Sequence, residues 1–303
     1  MCEAGGRIDQ KQTHRIKYHK LHSTNRYAVV GGRIGIHGSR YPVVLDTGAS
    51  QPIFLNAKHV LNNKLPIYSV KDSTLDLNGH KLGLCHLPEL QIGDITLADW
   101  TCLYFEPRVT ARLFGVPIAT KASNDNTIIV GLPVLREFKY IIFDNVAKEV
   151  EFSRNESFEV GEADLWEKYP LSIEEDFHGN TFLFVLISIA GEQTELQLDT
   201  GSGRGLAIGE ALWERVRAKI HVPNLKKGKD FYPYIGRLAC RRGVVAKLEV
   251  GGRTVRKAEI SIFPNDSPLL LECEGLVGMQ YFQNTVAVLD FERNLMWVKN
   301  RRY

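Results

Sequence analysis

The chain has almost no excess charge. Across 303 residues the formal net charge is +3, too little to imply a nucleic-acid or strongly acidic partner. It also lacks a long apolar run. Its longest, such as Phe182 to Ala190, falls far short of the roughly 18 residues a membrane-spanning helix needs. No apolar segment of signal-peptide type follows Met1. Cys2 is then either a chance residue or the acceptor cysteine of a processed secreted or lipoprotein form. Cysteine is scarce: Cys2, Cys85, Cys102, Cys240 and Cys273 make an odd set with no Cys-x-x-Cys and no Cys/His ligand spacing. That argues against a zinc site and a dense disulfide framework; buried free thiols are the simpler reading, with one or two bridges left open. The nine histidines also show no ligand spacing, so no metal and no cofactor is expected.

What is present is a folded composition, 44% hydrophobic and 24% charged, at a length that suggests about two domains. An internal repeat explains the two. Gly38-Ser-Arg-Tyr-Pro-Val-Val-Leu-Asp-Thr-Gly48 parallels Gly191-Glu-Gln-Thr-Glu-Leu-Gln-Leu-Asp-Thr-Gly201, and Asp46 and Asp199 stand 153 positions apart. Leu90-Gln-Ile-Gly-Asp-Ile-Thr-Leu97 then parallels Leu248-Glu-Val-Gly-Gly-Arg-Thr-Val255. Ile128-Ile-Val-Gly-Leu-Pro-Val-Leu135 parallels Gly275-Leu-Val-Gly-Met-Gln-Tyr-Phe282, and Tyr140 to Asp144 parallels Ala287 to Asp290. Chance is a poor account of four matches in one order.

Short alternating runs bounded by Gly, Asn and Asp predict strands and hairpins. Tyr27 to Ile36 and Phe182 to Ile189 are counterpart strands; Leu90 to Leu97 and Leu248 to Val255 each read as strand, turn, strand. Helices are expected over Asn56 to Lys64, Glu210 to Ile220 and Pro133 to Phe138. The expected division is a basic arm over 1–26, a first lobe over 27–153 and a second over 154–303. The arm reads as a solvated segment with a strand at Ile16 to Leu21, or as an inhibitory prosegment lying in an acidic cleft.

Each Asp-Thr-Gly ends an apolar run, Val43 to Leu45 or Leu196 to Leu198, so a carboxylate stands where a buried strand enters a tight turn. One such Asp is most simply a turn cap. Two at equivalent places in a repeat, meeting across a pseudo-twofold axis, would share a proton and act on a water as general base and acid. Gly48 and Gly201 let backbone approach the carboxylates.

This pattern resembles the aspartic peptidase clan over nearly all of residues 27 to 298. The resemblance implies an all-β fold of two barrel-like lobes with a cleft between them, and an endopeptidase with Asp46 and Asp199 as the dyad. It implies a peptide or protein substrate bound in extended form, and a monomer, since one chain holds both halves. Thr47 and Thr200 would interlock across the lobes; Gly131 and Gly278 would lie in loops packed beneath the Asp turns. With no Tyr-Gly-Ser/Thr-Gly segment and two short, similar halves, the chain resembles fused retropepsin units more than a pepsin-like enzyme. The flap candidates are Asn78 and Gly79 in Lys71 to Gly83, and Tyr234, Ile235 and Gly236 in Phe231 to Gly243; static duplicated hairpins are the alternative. A catalytically silent peptide-binding protein of the same fold is the alternative function.

The halves differ at one telling position. Ala49 has no hydroxyl and Ser202 has one, so Asp199 is expected to ionise more readily than Asp46. Asp144 and Asp290 read as structural turn carboxylates and the four tryptophans as core. Arg241-Arg242 reads as a solvated pair, with a role toward a substrate carboxylate left open.

Overall fold

The structure, a computed structural model, describes residues 6–10, 13–19, 27–35, 38–68, 75–77, 80–106, 108–113, 116–122, 125–220, 224–232, 236–270 and 273–300. It is built almost wholly of strands, and the two halves repeat one arrangement. In the first half Arg40–Asp46 lies between Val29–Ile34, antiparallel, and Ile128–Gly131, parallel. In the second, Glu192–Asp199 lies between Thr181–Ile189, antiparallel, and Gly275–Gly278, parallel. Beyond each parallel neighbour comes a short strand, Ile53–Asn56 or Leu206–Gly209. Each of these in turn runs parallel to a long strand, Ile95–Phe105 or Arg253–Phe263. The strand carrying each Asp is thus central, so both its edges are hydrogen-bonded.

The hairpins form as their turn residues require. Gly93 (φ 59°) and Gly251 (φ 60°) open the two-residue turns that close Ile92 on Ile95 and Val250 on Arg253. Ala190 and Gly191 both take positive φ between Ile189 and Glu192.

The helices are shorter than the apolar spacing suggests. Ala57–Asn62 is capped by the Asn56 side chain, which accepts from Lys58 N–H, and it stops where Lys64 enters the left-handed region at φ 51°. Glu210–Val216 gives way to single turns that bond Lys219 N–H to Val216 and Ile220 N–H to Arg217. The proline-led segment is one turn, Leu132–Leu135.

The halves join through a continuous antiparallel ladder. Tyr140–Asp144 pairs with Thr285–Asp290, with Ile142 opposite Val288 at its centre. Outward on one side lie Glu149–Ser153 and His14–Lys17, and on the other Leu295–Asn300 and Trp166–Glu175. The described part of the basic segment is thus largely sheet, while Arg15 and Lys17 stay 68% and 76% exposed; Lys20 and Leu21 lie outside the described residues. His14–Lys17 closes this ladder, and Arg7–Gln10 pairs with Ile95–Phe105. The strand falls earlier than Ile16 to Leu21 because the register is set by Glu149–Ser153, whose acids Glu149 and Glu151 pair with Lys17 and Arg15. Asp144 and Asp290 are turn carboxylates at this ladder: Asp144 accepts from Val146 and Ala147 N–H, and Asp290 from Arg293 N–H.

Phe143 lies in the joining strand with no accessible surface. Phe143→Ala is expected to cost about 3–5 kcal/mol, read as a lower urea midpoint at unchanged slope.

Candidate active site

Each candidate aspartate is the last residue of a central strand and the first of a tight turn. Val43 to Leu45 and Leu196 to Leu198 bury both strands up to that point. The turns close by Ala49 N–H donating to the Asp46 carbonyl at 3.2 Å and Ser202 N–H to the Asp199 carbonyl at 3.3 Å. The Asp46 carboxylate takes the Gly48 N–H at 2.9 Å, the local bond that favours Asp at the head of such a turn.

A glycine lies beneath each turn. Gly131 is opposite Asp46 and Gly278 opposite Asp199 in the parallel registers. Gly131 N–H donates to the Pro52 carbonyl at 2.8 Å and Leu132 N–H to that of Ala49 at 2.9 Å. Gly278 N–H donates to Gly205 at 2.8 Å and Met279 N–H to Ser202 at 2.9 Å. A β-carbon on Gly131 would stand 2.1 Å from the Gln51 carbonyl oxygen, and one on Gly278 2.3 Å from that of Arg204. No side chain fits there.

The two turns meet. Thr47 N–H donates to Thr200 Oγ1 at 3.0 Å, and Thr200 N–H to Thr47 Oγ1 at 3.0 Å. Each hydroxyl passes its own hydrogen onward, Thr47 to the Leu198 carbonyl and Thr200 to the Leu45 carbonyl at 2.8 Å. Gly48 and Gly201 leave room for the opposite carboxyl: a β-carbon on Gly201 would lie 2.3 Å from Asp46 Cγ, and one on Gly48 2.8 Å from Asp199 Cγ. Asp46 and Asp199 are thereby hydrogen-bonded to each other.

Burial pushes both carboxyls above the ordinary range. Asp199 is pushed further, because it also faces the Asp46 charge. Backbone N–H groups oppose the shift, among them those of Gly48, Gly201 and Ala49 at Asp46 and of Ser202 and Gly201 at Asp199. The two carboxyls titrate as a pair. Ser202 Oγ accepts the Arg204 N–H at 3.2 Å. The pair is a donor and an acceptor side by side, fitted to hold a water and move its proton.

Of the flap candidates, Asn78, Gly79, Tyr234 and Ile235 lie outside the described residues. Gly236 begins the strand Gly236–Val250, opposite Tyr232 of Lys226–Tyr232. Arg241 and Arg242 are not merely solvated: Arg241 pairs with Glu210, and Arg242 with Asp230. Sequence reasoning missed Asp230, a buried acid in a strand otherwise rich in lysine, and Arg204 beside the second turn. The available signal was alternation, which puts Asp230 on the inward side of a strand whose Lys227 and Lys229 face out. Among the described residues no group of three or more His, Cys, Asp and Glu is arranged to hold a metal ion. No helix there is long and apolar enough to cross a membrane.

Neither a protein-family model nor a curated protein matches the chain. Solved structures do. The aspartic proteinase from Irpex lacteus superposes with a TM-score of 0.51 and 12% identity, over 96% of this chain and 98% of that one. Conglutin gamma, a basic 7S globulin from lupine seeds, gives 0.49 and 9% over 98% and 96%. Basic 7S globulin from soybean gives 0.45 and 10% over 95% and 94%. The fold is the all-β, two-lobed fold of the aspartic proteinases.

Two outcomes follow for the joined turns. Thr200→Val strands the Thr47 N–H and the Leu45 carbonyl, and should lower stability by about 1–3 kcal/mol in urea unfolding. The raised Asp199 value makes the folded state hold its proton to higher pH than the unfolded chain, whose value lies near 3.8. The resulting stability is complete below that value and is lost as pH rises through the folded one. Asp199→Asn escapes the loss, so it should exceed the wild type in unfolding free energy near about pH 7 and match it near about pH 3.

Proposed function

We propose that this protein is an aspartic endopeptidase whose dyad is Asp46 and Asp199. The observation that carries the reading is the hydrogen-bonded carboxyl pair at the junction of two repeated turns. Two carboxyls held against each other with no task would be a plain cost.

In this reading one proton is shared by the pair. Asp46, as carboxylate, takes a proton from the bound water while Asp199 gives its own to the carbonyl oxygen of the substrate. The result is a tetrahedral diol, with no covalent enzyme intermediate. Collapse returns a proton to the leaving amine. Gly48 and Gly201 N–H groups hold the carboxylates in place through these steps, and Thr47 and Thr200 hold the two turns in register. Gly131 and Gly278 support the turns from below. The substrate lies extended across the cleft, bonded through its main chain as an added strand. The lobes are taken as 27–153 and 154–303, short and alike as in fused retropepsin units, and one chain suffices as a monomer.

The test is cleavage of a diverse peptide mixture across roughly pH 3 to 8. The wild type should cut, and Asp46→Asn and Asp199→Asn should each lose at least about a hundredfold in kcat/KM. The alkaline limb should lie above the ordinary carboxylate range, because it marks loss of the Asp199 proton. Peptide binding without cleavage at every pH would instead identify a silent peptide-binding protein.

A further inference from the structure

The two Asp turns are nearly superposable in hydrogen bonding, but their flanks differ in charge. The residue five beyond Asp46 is Gln51, and five beyond Asp199 is Arg204. Their equivalence is structural as well: the carbonyls of these two residues are the ones that crowd Gly131 and Gly278. Gln51 Nε2 donates to Asn180 at 3.1 Å, a neutral contact. Arg204 instead reaches Asp230, its Nη2 3.2 Å from Oδ1.

Asp230 is the centre of a second polar site. It is 1% accessible, and Ser261 Oγ donates to its Oδ2. Arg242 also converges on Oδ1, its Nε at 3.2 Å. Gly228 makes this possible, because a β-carbon there would stand 2.7 Å from Arg242 Cδ. The arginine lies across the strand on the glycine's bare backbone. Two guanidiniums thus share one buried carboxylate. Glu259 stands 3.6 Å from Arg204, so two acids balance the two arginines, with Glu259 on the Arg204 side and Asp230 between them. Both arginine side chains keep about two-fifths of their surface open, while the acid that binds them is sealed.

Tyr232 adds a second, independent observation. Among the described residues its hydroxyl is buried and has no hydrogen-bond partner, as is also true of Asp230 Oδ1. Burial, and the charges of Asp230 and then Asp199, push the phenol up. It is held there by an edge contact with Phe263 at 6.1 Å.

We propose that Arg204 and Arg242, seated on buried Asp230 with the Tyr232 hydroxyl beside them, form a carboxylate-binding subsite on the Asp199 side of the cleft. Its ligand is the carboxylate of a substrate peptide, from an Asp or Glu side chain near the scissile bond or from a free C-terminus. The two guanidiniums stand at ion-pair distance from one buried aspartate with part of each side chain still exposed, so two cations border the place a ligand carboxylate would take. Among the described residues the position equivalent to Arg204 beside Asp46 is the neutral Gln51, so a carboxylate on the Asp199 side would give the substrate a direction. The proposal rests on the peptidase reading for its substrate class, but its binding step does not need catalysis.

The experiment uses matched peptides that differ only as Glu, Gln or Lys at one position, each with a free or amidated C-terminus. Cleavage by the full chain and binding to its Asp46→Asn variant are measured in parallel. Glu should exceed Gln by about tenfold in both readouts, the effect of one charge-assisted bond. Arg242→Gln should abolish that ratio, Arg242→Lys should keep part of it, and Arg242→Glu should turn the preference toward Lys. The lysine variant also guards against misfolding, since it retains a cation on Asp230. A preference of Glu over Gln that survives amidation assigns the side chain as the source; equal treatment of Glu and Gln with free termini preferred over amidated ones assigns the terminus. No preference of either kind overturns the subsite, as does a preference untouched by Arg242→Gln. Binding preference without any cleavage would leave the subsite standing and sink the peptidase reading instead.

Discussion

Everything at this site depends on one reciprocal exchange, the Thr47 and Thr200 hydroxyls bonded to each other's backbone N–H. Each hydroxyl uses its acceptor capacity on the opposite lobe's N–H and its hydrogen on the opposite lobe's carbonyl. Four backbone groups are thereby bonded by two side chains. Separating the turns would expose all four to an apolar interior, a cost of several kcal/mol. That exchange brings Gly48 and Gly201 against the opposing carboxyls, and the contact sets the spacing of the acids. At the base, the ladder between Tyr140–Asp144 and Thr285–Asp290 joins the same halves again. The junction is thus held at two levels, and the acids sit at the upper one.

Holding two carboxyls together is unfavourable by itself. The backbone N–H groups around the pair limit the cost by stabilising whichever member is ionised: those of Gly48 and Gly201 act on Asp46, those of Ser202 and Gly201 on Asp199. Burial works against them at both acids, and the Asp46 charge raises Asp199 further.

The repeat made much of the fold legible. An Asp at the end of an apolar run, a glycine in the parallel strand beneath it and a Gly at the head of each hairpin all follow from rules local to a few residues. They recur because both halves obey them. The parts that were not legible depend on register between distant segments. Nothing local in His14 to Lys17 says that it will lie beside Glu149–Ser153, so a basic stretch reads as solvated when it is an edge strand neutralised by the acids of its neighbour. Arg242 fails for a related reason. Its partner Asp230 lies across a hairpin, and the path between them depends on the missing side chain of Gly228.

The same divergence explains why a duplicated unit need not give a symmetric site. The dyad constrains only those residues that make the turn, the support beneath it and the exchange between lobes, and there the copies agree. Five residues past the aspartates that constraint ends, and Gln51 and Arg204 differ although their backbones occupy equivalent places. A charge at one of two equivalent positions is enough to give a twofold cleft a direction. The subsite proposed there draws on a buried counter-ion: an unanchored arginine at the rim would lose side-chain entropy on binding and be screened by salt, whereas a guanidinium drawn to a sealed carboxylate such as Asp230 gives up part of that freedom in folding.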